Sequence, residues 1–113
     1  MREILMLRFY RSRYGDTRYP DVPMVGSTLE EARQEACEAL NARYRDNKQA
    51  GRLREAPYCA VLLDEAGQVV ARFEYRPGTP DRPEGAYELP KEIWHDGMAG
   101  TPTDEIQQYL RDR

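Results

Sequence analysis

Residues 28 to 46 have the clearest helix pattern in this sequence, and this one helix sets the main limit on the fold. Its apolar stripe consists of Leu29, Ala32, Ala36, Ala39, Leu40 and Tyr44. Ser27 and Glu30 predict a capping box at its start, and Gly51 is expected just beyond its end. Because the flanking segments have strand patterns, the helix must pack on a sheet, and it can cover only one of the two sheet faces.

Three segments have strand patterns, namely 3 to 11, 57 to 63 and 68 to 76. The first is apolar on both sides, which is typical of a strand in the middle of its sheet. The other two predict a hairpin that turns at 64 to 67. In its return strand the alternation predicts that Arg72, Glu74 and Arg76 face water. Residues 12 to 26 contain two prolines and predict an edge strand or an extended loop.

The remaining sequence, from Pro77, is rich in proline and glycine and is expected to interrupt regular structure. Only a short helix beginning at Pro102 is predicted there, with Thr101 as its N-cap. We therefore expect a single α+β domain over 1–113. Its core, 1–76, has the order β(β)αββ, with a small, mainly antiparallel sheet of three to four strands and one main helix on one face. Residues 77–113 form a proline-rich tail with a short terminal helix.

The second face of this sheet needs a cover, since an apolar row left in water favours association. Two covers are possible. The tail can supply Tyr87, Leu89, Ile93, Trp94 and Met98. A second subunit can instead pair the same face about a two-fold axis, and this homodimer is slightly favoured because prolines and glycines make the tail a discontinuous cover.

The charge distribution argues against a nucleic-acid surface. The chain of 113 residues has a net charge of −3. Neither half has the dense basic stripe that tracks phosphates, so nucleic-acid binding is disfavoured without being excluded. No signal peptide or membrane span is predicted, and Cys37 and Cys59 are expected as free buried thiols, so the expected location is the cytoplasm.

His95 is the one residue that suggests catalysis. It is the only histidine, and the neighbouring Asp96 would orient it as a general base. The sequence has no second histidine, no nucleophile motif and no spacing of metal ligands. No catalytic site, metal site or cofactor is therefore predicted, and an enzyme centred on His95 remains the weakest alternative.

Two groups of residues are candidates for binding. Tyrosine is frequent, and exposed aromatic residues concentrate at protein interfaces. The predicted partner-binding residues are Tyr10, Tyr14, Tyr19, Tyr87 and Trp94. A basic group at the end of the helix would serve the nucleic-acid alternative, although a solvated helix end explains it more simply. This group consists of Arg43, Arg45, Lys48, Arg52 and Arg54.

The run Tyr19-Pro20-Asp21-Val22-Pro23, followed by Gly26-Ser27-Thr28-Leu29-Glu30-Glu31-Ala32, resembles the N-terminal domain of HicB-type antitoxins. The resemblance covers about residues 4 to 45 and implies a ribonuclease-H-like partial fold. It also implies a role in binding and silencing a small RNA-cleaving toxin.

Taken together, these features predict a non-enzymatic protein-interaction module that binds and neutralises or inhibits a macromolecular partner. The competing hypotheses are a small RNA- or DNA-binding accessory protein that uses the basic helix end, and a small enzyme centred on His95.

Overall fold

The computed structural model of this chain describes residues 4–15, 19–26, 28–95 and 97–100. Their regular elements are the helix α1 (Leu29–Gln49) and the strands β1 (Met6–Tyr10), β2 (Val22–Pro23), β3 (Cys59–Leu63), β4 (Val69–Arg76) and β5 (Gly85–Glu88). The strands form one antiparallel sheet in the order β2-β1-β3-β4-β5. The predicted α+β class is confirmed, whereas the prediction of three to four strands is wrong, because the sheet has five.

The strand that the sequence pattern missed is β5. It lies antiparallel to β4, with Glu74 opposite Tyr87. The connection from β4 closes on itself, since Thr79 and Arg82 exchange backbone hydrogen bonds of 2.7 and 3.2 Å. The prolines at 77, 80 and 83 all lie in this connection, so they remove no donor from β5 itself. The expectation that the tail lacks regular structure is therefore wrong here, and the short helix predicted from residue 102 lies outside the described residues.

The helix α1 begins at a capping box placed one residue later than predicted. The hydroxyl of Thr28 accepts the backbone N–H of Glu31 at 3.1 Å and donates to the Glu31 carboxylate at 3.1 Å. Ser27 lies outside the described residues. The buried stripe of the helix consists of Ala32, Ala36, Leu40 and Tyr44. Leu29 was expected on this stripe but is 47% exposed, whereas Gly51 follows the helix end with φ +73°, as predicted.

One sheet face packs against α1 and holds the larger core. The strands contribute Leu7, Phe9, Ala60, Leu62, Ala71 and Phe73. These side chains alternate along β1, β3 and β4, and every one of them is buried. The small residues Ala32 and Ala36 allow the helix to lie close to the sheet. The prediction that the helix stripe packs on the sheet is confirmed for Ala32, Ala36 and Leu40 but not for Leu29, and the helix lies mainly over β3, β4 and β5.

The second face carries a smaller cluster, which part of the tail covers. Tyr10, Cys59, Val61 and Leu63 are buried there together with Ala99. Gly100 has φ +82°, and a Cβ atom at this position would lie 3.2 Å from Val61 Cγ1. The described tail residues 97–100 therefore lie directly on this face. Of the two covers considered from the sequence, the tail is present, and the homodimer stays a prediction.

Arg72 corrects the expectation that its row of β4 faces water. It is only 4% exposed, on the face that the tail covers. Its Nη1 donates a hydrogen bond to the carbonyl of Ala99, and its guanidinium lies 5.0 Å from the centre of the Trp94 ring. A buried cation is stable where such contacts replace its hydration, so Arg72 links the sheet to the tail.

Both edges of the sheet have features that hinder the addition of another strand. Met24 donates its N–H to Leu5 at 2.8 Å, so the preceding residue, Pro23, occupies the outward position of β2 and has no N–H to offer. At the other edge, the Asn41 side chain accepts the N–H of Ala86 at 2.8 Å. We therefore expect a partner to bind elsewhere on the surface than at these two edges.

Candidate functional site

Two adjoining hollows lie between α1 and the β1–β2 side of the sheet. Their volumes are about 470 and 450 Å³. Arg43, Asn47 and Arg52 line both of them, so the two hollows form one continuous surface. We call this surface the arginine groove. One end is lined by Phe9, Val22, Ala39, Ala42 and Asp46, and the other by Arg11, Tyr19 and Glu55.

The helix sequence explains how the groove forms. Ala39, Arg43 and Asn47 follow one another at intervals of four residues, so they lie along one face of α1. Because Ala39 and Ala42 end at Cβ, the helix leaves open space beside the sheet at this point. Arg43 follows the buried Ala36 by about two helical turns, so its side chain starts close to the sheet. Its guanidinium lies over the ring of Phe9, 4.6 Å from the ring centre.

The groove has an excess of positive charge near Arg43. Among the described residues, three guanidinium groups line it, against the two carboxylates of Asp46 and Glu55. Arg52 lies 3.8 Å from Glu55, and both side chains are about two-thirds exposed (66% and 67%), so water screens that pair strongly. Within the described parts of the chain, Arg11 and Arg43 form no ion pair with an acidic side chain. These two cations can therefore receive an anion from a partner.

The wall of the groove opposite the helix is fixed by Tyr19. Its hydroxyl donates to the backbone carbonyl of Glu55, and its ring meets the edge of Phe9 at 6.4 Å between centres. On the helix, the Asn47 amide donates to the carbonyl of Arg43 at 2.8 Å. These bonds hold the groove in shape before any partner binds, which lowers the entropy cost of binding.

The structure divides the basic group that the sequence suggested. Arg43 and Arg52 line the arginine groove, whereas Arg45 and Lys48 lie on the opposite side of α1. There they line a second hollow of about 700 Å³ beside Tyr75, whose ring stacks on Tyr44 at 3.7 Å. Arg54 lies in the exposed 3-10 turn Leu53–Glu55. The five residues therefore do not form one phosphate-binding patch.

The five aromatic residues predicted to bind a partner also lie apart from one another. Tyr10 is buried on the second sheet face, and Tyr14 is 63% exposed beside His95, with 5.7 Å between ring centres. Tyr87 donates its hydroxyl to the carbonyl of Pro83, and Trp94 packs on Arg72. Of these five, only Tyr19 lines the arginine groove.

Arg11 and the alanine pair, Ala39 and Ala42, are among the groove residues that sequence reasoning missed. Arg11 follows β1 directly, and nothing in the local pattern distinguishes it from a solvated arginine. A usable signal was present on the helix, where Ala39 and Ala42 precede Arg43. Two small residues one turn apart beside a long cation are typical of a helix face that leaves room for another chain.

His95 has a geometry that offers little to general-base catalysis. It is exposed, and its Nδ1 accepts the backbone N–H of Gly97 at 3.3 Å. This bond engages the lone pair of Nδ1. Asp96 lies outside the described residues. Among the described residues, no group of three or more His, Cys, Asp or Glu side chains has the arrangement of a metal site.

The two cysteines differ in their surroundings. Cys37 is half-buried on α1, and Cys59 is buried on β3 beside Glu74. Burial raises the pKa of the Cys59 thiol to about 12, and the negative charge of Glu74 adds to this effect. Burial also raises the pKa of Cys37. Neither thiol has the lowered pKa of a catalytic nucleophile.

This difference predicts selective labelling. In the native protein at about pH 8, an aromatic disulfide reagent should modify Cys37 slowly and Cys59 not at all, because a thiol with so high a pKa has almost no thiolate and little access. The absorbance of the released aromatic thiolate measures both the rate of labelling and the number of thiols modified. Cys37→Ser should abolish labelling of the folded chain. In denaturant, the one remaining thiol of this variant, Cys59, should react. Rapid native labelling of Cys37→Ser would show that Cys59 is accessible.

Comparison with protein-family models, curated proteins and solved structures gives no match for this chain. In the part of the chain that the structure describes, no helix has both the length and the apolar character needed to cross a membrane. The arginine groove is therefore the feature from which a function can be argued.

Proposed function

We propose that this chain is a non-enzymatic protein-interaction module that binds a partner protein in the arginine groove and thereby neutralises or inhibits it. The observation that carries the proposal is the position of Arg43. Its guanidinium is held over Phe9 at the junction of the two hollows and forms no ion pair within the described residues. A half-buried cation held in this way favours an incoming carboxylate more strongly than a solvated surface arginine does.

The chemistry of the groove supports a protein partner over a nucleic acid. Arginine and tyrosine are enriched at the energetic centres of protein interfaces. Arg43 and Tyr19 are here combined with the apolar side chains of Val22, Ala39 and Ala42. A surface that follows a phosphate backbone needs many adjacent cations. The division of the basic group across α1 and the net charge of −3 both weaken that alternative.

The sheet edges support the groove as the place of contact. Pro23 at one edge and the Asn41–Ala86 hydrogen bond at the other hinder strand addition. The resemblance of residues 4 to 45 to HicB-type antitoxins stays a prediction, and the partner that it implies is a small RNA-cleaving toxin. A cytoplasmic location and a homodimer likewise stay predictions.

Affinity capture with matched charge reversals tests this proposal. The full chain is immobilised and exposed to a nuclease-treated lysate of the source organism, and the eluate is identified by mass spectrometry. Arg43→Glu should reduce capture of the main protein by about tenfold or more, because it removes a charge-assisted contact and adds a repulsive charge. The control, Arg45→Glu on the other side of α1, should leave capture unchanged.

A salt titration of the captured complex separates the remaining alternatives. A mixed apolar and ionic interface should weaken only moderately as salt is raised, whereas phosphate binding should weaken steeply. Equal capture by wild type and Arg43→Glu would contradict the groove as the binding surface. Capture that occurs from an untreated lysate but not from the nuclease-treated one, with a steep salt dependence, would instead support the nucleic-acid alternative.

A further inference from the structure

We propose that the arginine groove takes an extended acidic segment of the partner, with an apolar side chain in one hollow and a neighbouring carboxylate in the other. This inference rests on the proposed function and adds the chemical class of the segment that binds. It follows from the difference between the two ends of the groove.

The first end is the more apolar of the two. Phe9, Val22, Ala39 and Ala42 line it, together with Asp46 and the three residues that both hollows share, Arg43, Asn47 and Arg52. The alanines contribute no side chain beyond Cβ, so the hollow of about 470 Å³ is open to an incoming aliphatic or aromatic side chain. Burying such a group against this lining removes apolar surface from water, which is favourable.

The other end is cationic. Arg11, Arg43 and Arg52 surround a hollow of about 450 Å³ beside Tyr19. Glu55 already pairs with Arg52 at 3.8 Å, so among the described lining residues Arg11 and Arg43 are the cations available to a carboxylate of the partner. A planar guanidinium binds a carboxylate through two parallel N–H donors, which favours Asp or Glu at this position of the partner.

The groove suits a segment with few charges better than a polyanion. Asp46 lies at the apolar end and Glu55 at the cationic end, so a chain with a negative charge at every position would be repelled at both ends. The aromatic rings also leave little space for stacked bases, because Arg43 covers one face of Phe9 and Tyr19 meets its edge. These contacts favour an acidic peptide over single-stranded RNA.

Selection from a phage library of random linear peptides on the immobilised full chain tests the inference. Enriched peptides are synthesised with a fluorophore and titrated by anisotropy. We expect a consensus of one or two Asp or Glu residues beside a large apolar residue. Arg43→Gln should weaken binding of these peptides by about tenfold or more, since it removes a charge-assisted contact. Arg45→Gln should not change it, and circular dichroism should show that both variants are folded.

The outcomes separate this inference from the proposed function. Ala42→Trp fills the apolar hollow. If the enriched peptides had no acidic residues and bound more weakly to Ala42→Trp, the inference that the segment is acidic would be wrong, but the groove would still be a protein-binding surface. If the enriched peptides bound Arg43→Gln and Ala42→Trp as tightly as they bind the wild type, both the acidic-segment inference and the proposed function would be wrong. Absence of enrichment over a blank surface would overturn the acidic segment alone, and the capture experiment would then decide the proposed function. If a labelled single-stranded RNA bound tightly to the wild type and Arg43→Gln abolished that binding, the acidic-segment inference would also be wrong.

Discussion

Ala36→Glu should destabilise this protein by about 4 kcal/mol or more, which is a large fraction of the total stability of an ordinary domain. Ala36 is fully buried (0% exposed) at the centre of the helix stripe. It belongs to the core formed with Leu40 and Phe9. A carboxylate there would lose its hydration without gaining a cation, and the longer side chain would push α1 away from the sheet.

Urea denaturation followed by far-ultraviolet circular dichroism measures this effect. Gln34→Glu adds a carboxylate on the exposed side of the same helix, where it loses a weak hydrogen bond to Glu38 and faces that carboxylate one turn away, so it should lower the free energy of unfolding by about 1 kcal/mol or less. If the two substitutions destabilised the protein equally, α1 could not pack on the sheet through the stripe that contains Ala36.

Arg72→Ala should release the tail from the second sheet face and lower the free energy of unfolding by about 2–3 kcal/mol. The substitution leaves the Ala99 carbonyl without the donor that it has in the native protein and removes the cation packed against Trp94. Trp94 is the only tryptophan of the chain, so its fluorescence reports on the tail directly. We expect its emission to shift to longer wavelength as the ring becomes more exposed.

Arg76→Ala is the matched control for this experiment. Arg76 lies on the same strand, is half-buried, and pairs with Glu74 at 3.6 Å. Its loss should cost about 1 kcal/mol, because Glu74 keeps its two hydrogen bonds from Arg13, and should leave the Trp94 emission unchanged. Unchanged Trp94 emission in Arg72→Ala would contradict the role of Arg72 in holding the tail.

Local patterns were sufficient to predict the elements that bury most of the core. The two-sided apolar pattern of residues 3 to 11 correctly indicated β1, the alternation of 68 to 76 indicated β4, and the helical period of 28 to 46 indicated α1, because the apolar residues in these segments follow the repeat of the element itself. The capping box was placed one residue too early, since Ser27 and Thr28 are equally suitable caps by residue type. The fully buried β3 was recognised from its continuous apolar run.

The missed features depend on contacts between distant parts of the chain. The strand β5 has only four residues after a proline-rich turn, and it forms because β4 offers it a partner. Arg72 is buried because two residues of the tail contact it: the ring of Trp94 packs on its guanidinium, and the carbonyl of Ala99 accepts its hydrogen bond. The alternation of β4 alone could only predict that this residue faces water.

The candidate site shows the same limit. Two of its cations, Arg43 and Arg52, were among the predicted basic residues, but the pattern could not reveal that α1 separates them from Arg45 and Lys48. Arg11 joins the groove from the end of β1, far away in the sequence. Only the packing of the helix on the sheet brings these residues together.

Site-specific photocrosslinking in cells of the source organism tests the central claim most directly. A photoreactive benzoyl-phenylalanine is placed at position 46, which is exposed at the groove, or at position 48, which is exposed at the second hollow. The account predicts that light produces a covalent protein adduct from position 46 but not from position 48, and that adding Arg43→Glu removes this adduct. A protein adduct from position 48 alone, or an adduct at position 46 that nuclease removes, would contradict it.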